Sequence, residues 1–247
     1  MRPLAVKVSL SFDRLLDLIY PRNCIVTGYP VSGGAYRYLS DESLRELYRV
    51  EPPFCPTCGQ PFYGRVISAR NCPHCKELNP VFNRGRSLLL YRGLGRTLIH
   101  ELKYKGARYL LEDIKKIMRG ASAISDYLDN AILVPVPLHR RKLRERGFNQ
   151  SLLIAECFAE VAGGIPVVDA LERNIDTATQ TRLNRRDRLR NVKNDFSLSK
   201  KTALINSSRI IVVDDVFTTG HTLNACCTVL RRAGYEQLDV LTLGHGQ

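Results

Sequence analysis

From Arg86 to the C-terminus, short apolar runs alternate with helical stripes. Ser87–Tyr91 reads as a strand. Leu94, Leu98 and Leu102 recur at helical spacing and predict a helix over Leu94–Lys105, and Tyr109–Ser122 fits another. Ala131–Val136 is a short apolar run of the kind a buried strand needs, and Gln150–Val161 is helical in pattern. Arg209–Val213 is the most strand-like run in the chain. Thr222–Arg232 follows as a helix, and Gln237–Leu243 closes as a strand. Strands alternating with helices predict an α/β domain whose sheet is mainly parallel and flanked by helices, because a parallel pair needs a crossover long enough to hold a helix. Nearer the N-terminus, Phe12, Leu15, Leu16 and Ile19 share one face of a predicted helix, read as a core or docking surface.

The first 84 residues otherwise lack periodicity. They are rich in turn residues and hold five of the eight cysteines. Cys55-Pro-Thr-Cys58-Gly and Cys72-Pro-His-Cys75 form two knuckle-like pairs separated by 13 residues. Four thiolates can enclose a tetrahedral Zn2+, and Gly59 permits the tight turn of a knuckle. A closed set of four leaves no position for water, so the metal is expected to be structural. A redox role for either pair is the competing reading. His74 is expected to be exposed and not a ligand. Cys157, Cys226 and Cys227 fall on predicted helices and read as core. The chain thus divides into a zinc-ribbon module with its N-terminal helix over residues 1–84 and an α/β domain over 85–247.

Composition changes this picture little. The 247 residues are 44% hydrophobic and 25% charged, which suits a packed core and excludes wholesale disorder. The net charge of +13 is more informative, since it favours polyanions: nucleic acid, phosphorylated metabolites or an anionic surface. No run of 18 apolar residues is present, so no membrane-spanning helix is expected. Charges at Arg2, Lys7, Asp13, Arg14 and Asp17 interrupt any secretory apolar stretch. The paired cysteines and missing leader predict the cytoplasm, where thiols stay reduced.

The segment with most chemistry is Ile210-Ile-Val-Val-Asp-Asp-Val-Phe-Thr-Thr-Gly-His-Thr222. An apolar strand ends in two carboxylates, and a turn rich in Thr and Gly then enters a helix. Amides at a helix N-terminus point at whatever sits there, and the helix dipole favours an anion. Thr218, Thr219 and Thr222 add hydroxyl donors, Gly220 permits close approach of the backbone, and His221 lies among them. Asp214 and Asp215 sit where ligands bind in open α/β sheets and can accept hydrogen bonds from vicinal ribose hydroxyls. Phosphate donors beside a hydroxyl-reading acid pair describe a ribose-5-phosphate site. The bland alternative is a Thr-rich helix cap with solvated acids. The segment resembles the signature by which type I phosphoribosyltransferases bind 5-phosphoribosyl-1-pyrophosphate (PRPP). Phe217 is bulkier than the aliphatic residue usual there.

Two basic stretches flank it. Val134–Gln150 reads as a loop after a strand and carries Arg140, Arg141, Lys142, Arg144 and Arg146, suited to pyrophosphate. Thr177–Asn191 includes Gln180 and Arg188 and is read as a hood over a bound anion. Nucleic-acid contact needs the same side chains and remains a rival for both; a solvated charged face is a third reading.

Together with Leu98–Lys103, Val134–Pro137, Arg146–Ser151, Thr177–Gln180 and Arg190-Asn191, the acid pair and its loop make the chain similar to the ComF (competence protein F) family along nearly its whole length. The resemblance implies a type I phosphoribosyltransferase-like fold behind a zinc ribbon, with Mg2+ accompanying PRPP. It maps Asp214 and Asp215 to the ribose-hydroxyl acids and Thr218 to Thr222 to the 5-phosphate loop. Relatives often carry a further Cys-x-x-Cys pair near the start, whereas here Cys24 stands alone with Thr27 in its mate's place. The family is linked to DNA uptake in natural transformation. Two functions are therefore in play: a PRPP-dependent transferase or hydrolase, and a non-enzymatic adaptor that binds single-stranded DNA and docks a competence helicase. A zinc-ribbon accessory factor of transcription or translation ranks below both, because it leaves the acid pair unexplained.

Overall fold

A computed structural model describes residues 22–31, 34–62, 71–174, 195–207 and 209–246. The predicted helix near the N-terminus and the basic stretch holding Gln180 and Arg188 lie outside these residues. Strands β1 (Arg84–Leu90), β2 (Ile132–Pro135), β5 (Arg209–Phe217) and β6 (Gln237–His245) form a parallel sheet in the order β1-β6-β5-β2. A separate antiparallel pair joins β3 (Leu171–Arg173) to β4 (Phe196–Leu198). Parallel strands are covered on both faces, so their sequences read as continuous apolar runs. Accordingly Ile210, Ile211, Val212 and Val213 are all fully buried.

The helices are α1 (Asp41–Leu44), α2 (Pro73–Leu78), α3 (Gly93–Lys105), α4 (Leu111–Arg119), α5 (Ser122–Leu128), α6 (Arg140–Arg146), α7 (Gln150–Val161) and α8 (His221–Arg232). One core lies between the sheet and α3, α4 and α7, and holds Leu94, Leu98, Leu102, Ile114, Ile154, Phe158, Ile211 and Val213. The other lies under α8 and β3–β4, and holds Ile210, Val212, Leu223, Leu230 and Phe196. The four clustered cysteines, Leu78 and Phe82 belong to this second core, so the cysteine module is packed into the α/β body.

The helix expected over Tyr109–Ser122 is divided. A 3-10 turn at Arg108–Leu110 leads into α4, which stops at Gly120 before α5 begins. The basic segment read as a loop is partly helical: α6 is capped by His139, whose Nδ1 accepts the Arg141 N–H, and stops at Gly147 with a φ of 78°. It buries no residue, so no apolar stripe announced it. β3 and β4 also escaped notice, because three residues are too few to show a period.

At the N-terminal end of the sheet, Asp239 of β6 is buried between two guanidinium groups. Arg84 of β1 approaches its Oδ2 at 3.0 Å, and so does Arg209 of β5.

Asp113 of α4, fully buried, ties the N-terminal segment to this body. Its carboxylate accepts the backbone N–H groups of Arg37 (2.8 and 3.1 Å) and Tyr38 (2.8 Å). Asp113→Ala leaves those donors without a partner and is expected to reduce stability by about 3 kcal/mol. Chemical denaturation reads the change as a lower midpoint at unchanged slope.

Candidate functional site

β5 carries Asp214 and Asp215 to the C-terminal edge of the sheet, where Asp214 is in register with Thr242 of β6. Asp215 is buried, and its Oδ2 lies 2.8 Å from the Lys103 ammonium at the end of α3. Asp214 opens onto the cavity but is otherwise closely surrounded. Its Oδ1 accepts the Ser151 hydroxyl of α7 at 2.8 Å and the Asp215 N–H at 2.9 Å. Ser151 is held there because α7 begins beside it: Asn149 caps the helix by accepting the Ser151 N–H at 3.0 Å and donates its own amide to the Val136 carbonyl at 3.0 Å.

Two carboxylates this close cannot both ionise freely. Burial, then the charge of Asp215, push the Asp214 carboxyl up to about 7, against the hydrogen bonds from Ser151 and Asp215 and the charge of Lys103. For Lys103, burial works against the ammonium, but the charge and hydrogen bond of Asp215 and the charge of Asp214 together outweigh it and raise its pKa.

Lys103, Asp214, Asp215, Thr218, Thr219, Gly220, His221 and Thr222 line one concavity of about 190 Å3. The acids and the whole predicted loop therefore share a wall. A second concavity, of about 170 Å3, adjoins it and shares Lys103, Asp214, Asp215 and Thr222. Its other walls include Lys142, Arg146, Ser151 and Arg173. One side of the acid pair thus faces a helix N-terminus, and the other faces a cluster of cations.

Folding as α6 separates the basic residues, because successive side chains of a helix point about 100° apart. Lys142 and Arg146, four apart, reach the second concavity, and Arg146 donates to Gln150. Arg140 lies instead on a larger cavity of about 720 Å3 and approaches Glu172 at 3.7 Å. Arg141 pairs along the helix with Glu145 at 3.3 Å. Neither Arg141 nor Arg144 lines either concavity beside the acids. Lys142 and Arg146 of the basic segment thus lie beside the acids, whereas sequence reasoning gave no role to Lys103, Ser151 or Arg173. Only Lys103 had a signal, as a basic residue in the last turn of an amphipathic helix.

The sulfurs of Cys55, Cys58, Cys72 and Cys75 all lie within 4.8 Å of one another, and every one of these cysteines is buried. The Cys55–Cys75 and Cys58–Cys72 separations are 3.8 and 3.4 Å. A tetrahedron with Zn–S bonds of about 2.3 Å has edges of about 3.8 Å, so the residues fit a structural Zn2+. Gly59 follows the second thiolate with a φ of 76°, and a Cβ there would stand 2.8 Å from the Gly85 carbonyl oxygen. His74 is not part of this sulfur cluster. Cys24 is buried, and its sulfur accepts the Ser40 N–H and hydroxyl, both at 3.4 Å. Cys157, Cys226 and Cys227 are core residues, as expected.

No helix among the described residues is long and apolar enough to cross a membrane. The family model for the phosphoribosyl transferase domain matches residues 157–244, a span that includes the acids and the loop. Competence protein F of Haemophilus influenzae is 27% identical over 192 residues, covering 76% of this chain and 82% of the relative. Competence protein ComFC of Bacillus subtilis is 24% identical over 192 residues, 76% of each chain. DNA utilization protein YhgH of Salmonella typhimurium is 32% identical over 197 residues, 76% of this chain and 82% of the relative. That identity over that coverage, with a phosphoribosyl transferase domain across the carboxylate site, places the chain in the ComF family.

Proposed function

We propose that this chain binds PRPP at the acid pair, with Mg2+, and serves DNA uptake or utilization in the cytoplasm as a phosphoribosyltransferase-type protein. The observation carrying this reading is the wall shared by Asp214, Asp215 and Thr218 to Thr222, with cations on its far side. The 5-phosphate takes the Thr hydroxyls and the amides that open α8. The ribose hydroxyls donate to Asp214 and Asp215. Lys103, Lys142, Arg146 and Arg173 meet the pyrophosphate and stabilise the negative charge it gathers on leaving. Mg2+ typically binds one or two carboxylates together with substrate phosphates, and this acid pair fits that use. The larger cavity shares Pro137, Leu138 and Arg173 with the cationic concavity and gives an acceptor a route to the ribose.

A second reading, binding of single-stranded DNA by an adaptor that docks a competence helicase, has its own support. Tyr104 is 65% exposed, with the His100 ring 4.9 Å away and the Arg146 guanidinium 5.8 Å from its ring centre. An exposed ring beside cations is a stacking platform for a nucleobase.

Calorimetry with PRPP and Mg2+ tests the first reading. Saturable binding by the parent protein is expected, with loss of at least tenfold in affinity in Asp214→Asn and Asp215→Asn. Absence of PRPP binding by the parent protein would defeat it. The second reading predicts that Tyr104→Ala weakens binding of a short oligothymidylate about tenfold in a salt-dependent titration, with PRPP affinity unchanged.

The raised Asp214 pKa makes a separate statement about stability. Between about pH 4 and 7 the folded protein keeps a proton that the unfolded chain has released, so this group's contribution falls as pH rises through that window and levels off above about 7. Asp214→Asn removes the cost of ionisation. Its melting temperature is expected to exceed the parent's by about 3 °C at pH 8, with the difference shrinking as pH falls and vanishing below about pH 4.

A further inference from the structure

The phosphate loop is supported from behind by the metal module. His74 lies between the thiolate residues Cys72 and Cys75 on α2, and its Nε2–H donates to the Thr219 carbonyl at 3.0 Å. Gly220 has a φ of 68°, and a Cβ there would stand 2.7 Å from Leu78 Cδ2 and 2.7 Å from the Phe217 ring. Absence of a side chain at Gly220 therefore lets the loop lie against the end of α2. In the first turn of α8, Asn224 accepts the Val81 N–H at 2.7 Å and donates to the Leu78 carbonyl at 3.4 Å. Arg231, later on α8, donates to the Val81 carbonyl at 2.9 Å. The Phe217 ring meets Phe82 and His74 edge-on, at 6.3 and 6.5 Å, and stacks on His245 at 5.1 Å.

We infer that the four-thiolate module sets the conformation of the phosphate loop, with His74 as the positioning residue that turns the Thr219–Gly220 peptide. The inference extends the PRPP reading of the same site, but its mechanical part stands without it. A trans peptide points its C=O and N–H in opposite directions. With the Thr219 carbonyl held toward His74, the Gly220 N–H points to the other side of the peptide. That amide belongs to the helix N-terminus that would receive the phosphate. Zn2+ in the thiolate site fixes Cys72 and Cys75, hence α2, hence His74. Such coupling is reciprocal: whatever steadies the loop steadies the module to the same extent.

The test compares the full-length zinc protein with His74→Ala, His74→Gln and Lys76→Ala, the last being an exposed change on the same helix. Zinc content is measured for each. Amide hydrogen exchange over residues 217–223 is followed without ligand, and PRPP with Mg2+ is titrated by calorimetry. One lost hydrogen bond corresponds to about fivefold. His74→Ala is expected to keep its zinc, exchange about fivefold faster in this segment and bind PRPP about fivefold more weakly. His74→Gln retains a donor and is expected to restore both within about twofold, and Lys76→Ala to match the parent. A zinc-replete His74→Ala protein with parental exchange overturns the inference. If the parent protein fails to bind PRPP while the exchange pattern appears as expected, the PRPP reading falls and the mechanical coupling stands.

Discussion

Two adjacent carboxylates at the end of a buried strand repel each other in a medium that screens poorly, and the surroundings of the sheet edge answer that repulsion. Lys103 reaches Asp215 from α3, Ser151 reaches Asp214 from α7, and the Asp215 amide turns back on its neighbour. Each partner comes from an element whose position the sheet already dictates. Of the helices on that face, α3 and α7 carry polar residues at the tip nearest the acids and bury otherwise apolar or small side chains. In the PRPP reading proposed above, a charged, hydroxyl-bearing ligand would settle such a pair further.

The α/β body was legible in the sequence because its signals are long. The apolar run of β5 and the full Gln150–Val161 period of α7 hold over enough residues for burial to imprint a pattern. The acid pair and its threonines were legible for a different reason: their chemistry is rare at a strand-to-helix turn. The cysteines declared themselves by spacing. Less visible was anything that depends on residues far apart. Lys103 and Asp215 are 112 positions apart, and His74 and Thr219 are 145 apart. Nothing local marks either pair. The seven residues of α6 misled in another way, since a helix with no buried face has composition but no period.

Phe217 shows how a departure from expectation becomes informative. Its size is awkward for a residue whose only task is to lead a strand into a turn rich in Thr and Gly. Its neighbours explain it: rings from β6, from the segment after α2 and from α2 itself meet around it. The bulky ring fills the seam between the sheet's end and the cysteine module, and Gly220 yields the space it needs. The cysteine module and the turn are thus parts of one packing arrangement.

The Asp239 bridge at the opposite end of the sheet has a consequence for the acids. Its two arginines come from the strands on either side of β6, so one carboxylate ties three neighbours together. Sliding any of these strands by one position would turn its side chain to the far face and strand a buried anion, at a penalty of about 3–5 kcal/mol. Strands are nearly inextensible, so alignment fixed at the base is transmitted along their length. The lateral placement of Asp214 beside Thr242 is thereby inherited from an ionic pin about five residues away, and the rim that carries the acids need not secure its own alignment.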